Sequence, residues 1–447
     1  MAGGQSASGA RLAAHRARFL EHVRCGARPR AAWRCGVELE LFGYEAQNLA
    51  RIDAAQVQSV LASFATSQQG RIFEGPTLIE ANAGPAGRLT VEPGGQIEFS
   101  GAPQPGLDEA ERHLRAYLAQ LGAIAAERGL IFLATGFDPV RAMGDQHWFP
   151  KMRYAAMRPY LAGRGRRAWD MMCRTCAVQV NLDYGSEVDL AKKFILGNRL
   201  APIITAIFAN SPFEEGRPSG YKSTRAAVWL ETDADRTGLS PLAFVEDFSL
   251  DDFVAYTLNV PIMFARRNGQ YVRMPPGLKF ADFLRGGGSG LHPVFDDWTD
   301  HLTTIFTEAR LKQYLELRSA DCVGLEMALA LQALWKGLMY DPATLEDALR
   351  LAPRLGPSGA RALQEQVARV GLAARYAQVD VLGLAKDLVA LAGRGLQRVA
   401  PAETLYLDIL REQVIEDEVC PADILLRNWH GSWHGRLDKV IEYLRLA

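Results

Sequence analysis

Glu38 and Glu40 stand two residues apart within a run of apolar and aromatic residues, 34–44, that is typical of a β-strand. Residues i and i+2 of a strand point to the same face, so we expect the two carboxylates to lie side by side. Like charges repel, and burial disfavours the ionised form, so such a pair needs either Arg or Lys or a divalent cation with oxygen ligands. The run therefore predicts a strand that lines a polar cavity with one face and buries the other, which carries Val37, Leu39 and Leu41.

Two further segments repeat this pattern. In the first, Ile97 and Phe99 alternate with polar residues, and a Pro-Gly-Gly turn separates this strand from Glu92; the polar residues are Gln96, Glu98 and Ser100. In the second, Glu316 and Arg318 share one face between leucines. An exposed acidic edge strand is the alternative for any one of the segments. Three of them in one chain favour acidic faces that converge on a single cavity.

Cationic side chains stand next to the polar strands in the central region: Lys151, Arg153, Arg158, Arg174, Arg225, Arg236, Arg310 and Arg318. Arginine and lysine bind phosphates and carboxylates, and arginine does so through a bidentate fork. Acidic strands together with these cations indicate a site for a metal–nucleotide and a carboxylated small molecule. ATP-dependent activation of a carboxylate needs this equipment, because metals and cations stabilise the charge on the transferred phosphoryl group. For each arginine taken singly, a surface salt bridge is the alternative.

The periodicity of the chain predicts the elements that position these residues. Residues 53–66, with Asp53 as N-cap, 107–128 and 187–209 are predicted helices, and 131–137 is a predicted strand. The alternating run 177–183 places Gln179 and Asn181 on one face, and Asn268-Gly269 predicts the turn of a hairpin over about 263–272. Beyond about residue 322 the chain is helical in pattern. The predicted fold class is α+β, with mostly antiparallel strands first and helices around and after them.

Composition narrows the class of protein. The 447 residues are 48% hydrophobic and 23% charged, with a net charge of −1, so no global field favours nucleic acid or an anionic membrane as a partner. No apolar run approaches the ~20 residues of a membrane-spanning helix. Cys173 and Cys176 form a C-x-x-C without a second pair, and the eight histidines are scattered, so neither a zinc site nor a metal hydrolase is predicted. The glycine-rich run 286–290 lacks the Lys-Ser/Thr of a P-loop.

The N-terminal region bears on the cellular location. Residues 1–34 hold seven arginines and one acidic residue, Glu21, a composition that superficially resembles an organellar transit peptide. Apolar residues at helical spacing instead favour an amphipathic first helix: Leu12, Phe19, Leu20 and Val23. The six cysteines are too sparse for a disulfide framework. We therefore predict a protein of the reducing cytoplasm, monomeric or homodimeric, with no nucleic-acid or membrane partner.

Several of these segments, in their order along the chain, resemble the plant-type glutamate–cysteine ligases, a family also found in bacteria. The resemblance covers about residues 15–345 and returns at the end of the chain. The stretches that carry it are 33–43, 92–103, 170–183, 209–213, 232–238 and 301–306. It implies a glutamine-synthetase-like antiparallel sheet that forms the active-site cavity and is surrounded by helices. It also implies a catalytic core over residues 1–352 and a helical C-terminal part, 353–447, packed on that core.

The resemblance implies a reaction as well. ATP, with Mg²⁺, would phosphorylate the γ-carboxylate of L-glutamate, and the amine of L-cysteine would attack the γ-glutamyl phosphate in the first step of glutathione biosynthesis. The implied metal ligands are Glu38, Glu40, Glu92, Glu98 and Glu316. The implied catalytic residues are Arg318, Glu316 and Arg174. The implied substrate- and ATP-binding residues are Gln179, Asn181, Arg225, Lys151, Arg153 and Met263.

Two positions depart from the family pattern near the expected acceptor site. Met263 stands where the family usually has tyrosine, and Cys322-Val323-Gly324-Leu325 replaces a segment that usually reads Gly-Gly-Pro-Trp. A γ-glutamyl ligase of the same mechanism that uses another amine is therefore an alternative. A non-catalytic relative that binds a nucleotide or glutamate is a second alternative, although a dead site has no reason to keep five desolvated carboxylates.

Overall fold

A nine-stranded antiparallel sheet forms the centre of the molecule in the computed structural model, which describes residues 2–65, 67–245, 247–288 and 290–446. In chain order the strands are β1 (Cys35–Glu45), β2 (Arg71–Glu74), β3 (Thr77–Asn82), β4 (Gly87–Val91), β5 (Ile97–Gly101), β6 (Leu130–Leu133), β7 (Ala177–Leu182), β8 (Ala309–Leu311) and β9 (Leu315–Asp321). Their order in the sheet is β8-β9-β7-β1-β5-β4-β3-β2, and β6 pairs with the second half of β1.

The two faces of the sheet differ in chemistry because side chains alternate along each strand. The apolar alternates, among them Leu39, Phe99 and Val180, are buried in the main hydrophobic core. Neighbouring strands keep the polar alternates in register on the other face: Glu40 lies opposite Glu98, and Glu316 lies opposite Asn181. The acidic side chains that the sequence distributes over three segments are therefore brought onto one continuous surface.

The helices surround the sheet. They are α1 (Ala2–Arg24), α2 (Ala54–Phe64), α3 (Leu107–Arg128), α4 (Met152–Leu161), α5 (Ala168–Arg174), α6 (Glu187–Ile207), α7 (Thr224–Leu230), α8 (Leu250–Asn259), α9 (Phe280–Leu284), α10 (Phe295–Leu302), α11 (Leu325–Met339), α12 (Pro342–Leu351), α13 (Pro357–Val370), α14 (Val381–Val399), α15 (Asp408–Leu410, continued by a π-helical turn, Arg411–Glu416), α16 (Pro421–His430) and α17 (Leu437–Leu444). Helices α3, α6 and α11 pack against the sheet. The predicted α+β fold is confirmed.

Local sequence signals explain some of the element boundaries. Asp53 caps α2 by accepting hydrogen bonds from the main-chain N–H groups of residues 55 and 56, and Gln56 completes a capping box. The predicted hairpin is present as Phe264–Arg267 and Gln270–Arg273, and Asn268 and Gly269 both adopt positive φ in its turn. The predicted strand 131–137 is shorter, Leu130–Leu133. Its continuation bonds elsewhere, because the N–H of Ala134 donates to the carbonyl of Leu444.

The C-terminal region is mostly helical, as predicted, with one small two-stranded sheet, Arg375–Tyr376 and Val379–Asp380. Helix α13 packs on α6 and α7, and α14 packs on α11 and α12. The boundary at residue 352 stays a prediction. In the part of the chain that the structure describes, no helix combines the length and apolarity needed to cross a membrane.

Candidate active site

A cavity of about 360 Å³ opens on the polar face of the sheet. Its floor is formed by β1, β4, β5, β7, β8 and β9, and its walls by α4, α5, α7 and the segment that follows α10. All five carboxylates predicted from the sequence line it: Glu38, Glu40, Glu92, Glu98 and Glu316. The structure therefore brings together the acidic residues of all three segments.

Hydrogen bonds from the strands fix the direction of the carboxylates. Glu40 accepts bonds from the side-chain amide of Gln179 and from the main-chain N–H of Ala177, each at 2.8 Å. Asn181 donates to Glu38 at 2.9 Å. Glu98 accepts hydrogen bonds from the hydroxyls of two neighbours on the same face, Thr90 and Ser100. These contacts place Gln179 in the cavity wall and Asn181 beside it.

Burial, with crowding of the acidic groups, raises the pKa of four of the five carboxylates. Burial, with repulsion from Glu316 and Glu98, raises the pKa of Glu38 to about 7. Burial raises the pKa of Glu40 well above its ordinary value, and repulsion from Glu92 and Glu98 adds to the effect. The pKa values of Glu92 and Glu98 are raised for the same first reason, burial. Four of the carboxylates thus lack sufficient positive charge from the protein itself.

Glu316 is different because cations surround it. Arg310 grips its carboxylate in a bidentate pair, with Nη2 2.7 Å from Oε1, and Lys312 lies 3.4 Å from Oε2. Arg318 Nη1 lies 3.2 Å from Glu316 Oε1 and also donates to the side chain of Gln179. Burial would raise the pKa of Glu316, but these three cations outweigh it and hold that pKa well below its ordinary value. Glu316 therefore anchors cations in this structure, and its role as a metal ligand stays a prediction.

Four further cations line the cavity: Arg88, Lys151, Arg153 and Arg225. Arg225 donates to the main-chain carbonyl of Arg318 at 2.8 Å, which ties α7 to β9. Among the described residues, neither Lys151 nor Arg153 forms an ion pair with an Asp or Glu. Their charges are available to an anionic ligand.

A second, more open cavity of about 760 Å³ adjoins the first, and the two share five lining residues: Glu38, Glu80, Arg88, Ser100 and Tyr314. Asn181 lines this outer cavity, and so do three arginines, Arg28, Arg34 and Arg88. The two cavities form one continuous cleft over the sheet. The inner end is small and strongly charged, and the outer end is large enough for a drug-sized or nucleotide-sized molecule.

Two residues predicted for the site lie outside the lining of either cavity. Arg174 is buried, bonds Asp170 at 2.7 Å and lies over the Phe137 ring, so its charge is already compensated. Met263 is 1% exposed and does not line the cavity, but it belongs to the hydrophobic cluster that also contains Met157, Met171 and Met172 of the inner wall. The divergent segment Cys322–Leu325 is also buried and lies outside the cavity lining. Arg174 and the segment 322–325 are near cavity-lining residues along the chain, but their side chains point away from the cavity.

Sequence reasoning missed several residues that line the cleft. Glu80, Arg88 and Thr90 come from the β3–β4 hairpin, whose polar residues alternate as those of β1 do. Lys312 and Arg310 also line the cavity, and of these two the sequence pattern indicates only Arg310, as one of the central cations. The inner wall also holds Met157, Met171, Met172 and Trp229. The alternation of polar and apolar residues could have identified the hairpin residues. The methionines of the wall, by contrast, cannot be told from ordinary core residues by sequence alone.

The acidic residues of the cavity offer only oxygen donors to a divalent cation. Within the described residues, no three or more His, Cys, Asp or Glu side chains stand in an arrangement that could hold one metal ion. Mg²⁺, however, is usually held by one or two carboxylates together with substrate phosphates and waters rather than by an all-protein cage. Oxygen-only donors with raised pKa values on one surface fit that mode of binding, so the residues fit a magnesium–nucleotide.

The chain is similar to plant enzymes over nearly its whole length. It is 39% identical to the chloroplastic glutamate–cysteine ligase of Brassica juncea over 430 residues, which cover 95% of this chain and 83% of that protein. It is 38% identical to the chloroplastic glutamate–cysteine ligase of Arabidopsis thaliana, over 95% of this chain and 82% of that protein. The chloroplastic location of these relatives contradicts the predicted cytoplasmic location, which is wrong by this comparison. The low number of cysteines, on which that prediction rests, does not distinguish the cytoplasm from the chloroplast.

A solved structure shares the fold. The glutamate–cysteine ligase of Francisella tularensis, crystallised in complex with AMP, superposes with a TM-score of 0.58 over 92% of this chain and 87% of that chain, at 13% identity. The family model for glutamate–cysteine ligase family 2 matches residues 34–443. This match spans the acidic strands, the cavity walls and the C-terminal helices. The chain therefore belongs to glutamate–cysteine ligase family 2.

Proposed function

We propose that this protein joins the γ-carboxylate of L-glutamate to the amine of L-cysteine at the expense of ATP, the first step of glutathione biosynthesis. Family membership supports the reaction class. The observation that carries the proposal is the composition of the cleft. On one side of the sheet, buried carboxylates with raised pKa values face cations that form no ion pair with an Asp or Glu among the described residues. Such a surface suits a metal-bound polyphosphate next to an anionic amino acid.

The two cavities divide the substrates by size. The outer cavity has the volume for the adenosine of ATP, with the three arginines on its rim and Asn181 beside Glu38 at its inner border. The AMP complex of the Francisella tularensis protein supports a nucleotide in a site of this fold. The inner cavity is left for the amino acids. The transferred phosphoryl group then lies between them, over Glu38, Glu316 and Arg318.

Mg²⁺ would be held by the nucleotide phosphates together with one or two of the carboxylates Glu38, Glu40, Glu92 and Glu98. When bound, it would neutralise charge on those phosphates. The protein's own groups do the rest. Arg318 extends from β9 toward the phosphoryl group, and its partner Glu316 limits its motion. Arg225 reinforces this strand through its bond to the Arg318 carbonyl. The guanidiniums thus meet charge that develops as the γ-carboxylate oxygen attacks phosphorus and ADP leaves.

The acceptor amine must enter from the inner wall. Methionine side chains pack well against sulfur and adapt their shape, so Met171 and Met172 can accommodate a small thiol. The two departures from the family pattern, at Met263 and at 322–325, lie outside the cavity lining. No structural observation therefore favours a different amine, and L-cysteine is the expected acceptor.

An ADP-release assay with ATP, Mg²⁺ and L-glutamate across a panel of amines tests this function, with mass spectrometry of the products. We expect L-cysteine to stimulate ADP release and to yield γ-glutamylcysteine. We also expect 2-aminobutyrate to serve, because an apolar pocket discriminates such isosteres by only ~1–3 kcal/mol. If neither amine stimulates release while a bulkier or charged amine does, a γ-glutamyl ligase with another acceptor replaces this proposal. If no amine stimulates release, the protein is not a ligase of this class.

A further inference from the structure

Arg153 lies at the inner end of the cleft, where its charge acts on Glu92 and Asp300 from beyond ion-pair distance. It projects from the first turn of α4 and lines the inner cavity together with Lys151 and Tyr154. No carboxylate among the described residues pairs with it. Its guanidinium lies 5.2 Å from the centre of the Phe264 ring, a contact that supports one flat side of the group. What aims the charge must therefore be a neutral group.

Thr303 supplies that group, immediately after α10. Its side-chain oxygen accepts a hydrogen bond from Arg153 Nη2 at 2.7 Å, and its main-chain carbonyl accepts from the same nitrogen at 3.2 Å. The hydroxyl in turn donates to the carbonyl of Asp300 at 2.6 Å, which fixes its rotamer. Thr303 thus holds one guanidinium nitrogen of Arg153 through two acceptors, its hydroxyl and its main-chain carbonyl.

The position of Thr303 in the fold strengthens this grip. The last carbonyls of a helix lack intrahelical partners and carry partial negative charge, so they attract cations. Thr303 is the C-cap of α10, and its carbonyl also accepts a hydrogen bond from Arg310 Nη1 at 3.2 Å. Arg310 is itself held by Glu316. The carbonyl therefore sets the spacing between two guanidiniums in the inner cavity.

The segment that contains Thr303 is held in place by a buried arginine. The next residue, Thr304, accepts two hydrogen bonds from the fully buried Arg236, at its carbonyl and at its hydroxyl, each 3.2 Å long. Arg236 also bonds Asp233 at 2.7 Å and the hydroxyl of Tyr160 on α4 at 2.7 Å. The support of Thr303 and the helix that carries Arg153 are thus joined by one buried arginine.

An amino-acid carboxylate is the anion that we expect at Arg153, because α4 brings Arg153 to the same cavity wall as Met157, near the methionines proposed for the acceptor. Arg153 and Thr303 line only the inner cavity, whereas the cavity with the volume for a nucleotide is the outer one. We propose that Thr303 is a positioning residue that aims Arg153 at the carboxylate of an amino-acid substrate. This inference rests on the proposed function and adds to it a determinant of amino-acid affinity.

Steady-state kinetics of Thr303→Val tests the inference, with KM measured separately for each amino acid and for ATP. We expect KM for one amino acid to rise about tenfold, the size of one charge-assisted hydrogen bond, while kcat and KM for ATP change less than about twofold. Thr303→Ser keeps the hydroxyl and should restore the wild-type KM. In an Arg153→Met background, Thr303→Val should have no further effect, because the contact is already absent.

Thr299→Val is the matched control. Thr299 lies on the same helix, and its hydroxyl makes the same kind of bond to a carbonyl three residues back, Asp296, at 3.0 Å, but it does not line the cavity. An equal loss in this variant, a rise of KM for ATP alone, or additivity with Arg153→Met would overturn the inference. Calorimetric binding of each amino acid to the wild-type protein and to Thr303→Val gives the same comparison without turnover. Failure of the proposed function would instead appear as wild-type protein without ligase activity.

Discussion

Replacement of Arg318 by alanine should slow phosphoryl transfer while the protein stays folded. Arg318 lies between Gln179 and Glu316 on the polar face of β9, and no other residue in the described part of the chain bridges these two partners. After its removal Glu316 keeps the bidentate pair with Arg310 and the nearby Lys312. The buried carboxylate is therefore still compensated, and the melting temperature should fall by only a few degrees.

The expected loss in kcat follows from the kind of interaction removed. Arg318 meets charge that grows during transfer, and the loss of one preorganised donor of this type costs about 2.7–4 kcal/mol in the transition state, or about 10²–10³-fold. KM for L-glutamate should change by much less, because the ground state carries less of that charge. Arg318→Lys keeps the charge but loses the fork, so an intermediate kcat is expected.

The assay is ADP release at saturating ATP, Mg²⁺, L-glutamate and L-cysteine, with melting temperature measured in parallel. Arg158→Ala is the matched control, because this arginine lies over Trp148 and Trp169 and does not line either cavity. The control should retain wild-type kcat. A wild-type kcat in Arg318→Ala would refute the reasoning and leave the residue a purely structural role.

The remaining predictions concern the turn before β5, a buried ion pair and the acidic face. Gly94→Ala should lower kcat at least ~10-fold, since its Cβ would lie 2.5 Å from the carbonyl oxygen of Cys173 and displace the turn that follows the predicted metal ligand; Gly144→Ala, in open space, is the control. Asp138→Asn should lower the free energy of unfolding by about 3–5 kcal/mol in chemical denaturation, because its arginine partner is fully buried. The pKa of Glu38 is raised from its ordinary 4.5 to about 7, so the folded state holds a proton that the unfolded state releases, and stability should fall as pH rises through this window. Glu38→Gln should flatten that slope in melting curves, and Mg²⁺ should stabilise the wild type more at pH 8 than at pH 5.5.

The strands of the site were predictable because period-two polarity is a local signal. The run around Glu38 and the run 177–183 each alternate strictly, and both appear as strands with the expected faces. The helix at Leu107–Arg128 was also predictable, since its apolar residues recur at helical spacing and Gly129, in the left-handed conformation, marks its C-terminal end. The acidic side chains of the three segments meet in one cavity because their strands belong to one sheet and present their polar faces to the same side.

What the sequence could not supply is side-chain direction outside regular strands. Arg174 and Arg225 both end or begin short helices and have the same charge, yet Arg174 pairs with Asp170 while Arg225 enters the cavity. Met263 precedes a strand and is directed into a hydrophobic cluster. Such outcomes depend on long-range packing. The bidentate hold of Arg310 on Glu316 likewise depends on the register of β8 and β9, which no local pattern reports.

Isotope transfer from glutamate to phosphate tests the proposed chemistry most directly. L-Glutamate labelled with ¹⁸O in its γ-carboxylate is incubated with ATP, Mg²⁺, L-cysteine and the protein, and the inorganic phosphate is examined by mass spectrometry. If the γ-carboxylate attacks the terminal phosphorus of ATP, the phosphate released must carry one ¹⁸O atom from glutamate. Phosphate without the label, formed together with γ-glutamylcysteine, would contradict a γ-glutamyl phosphate and the role assigned here to the cleft.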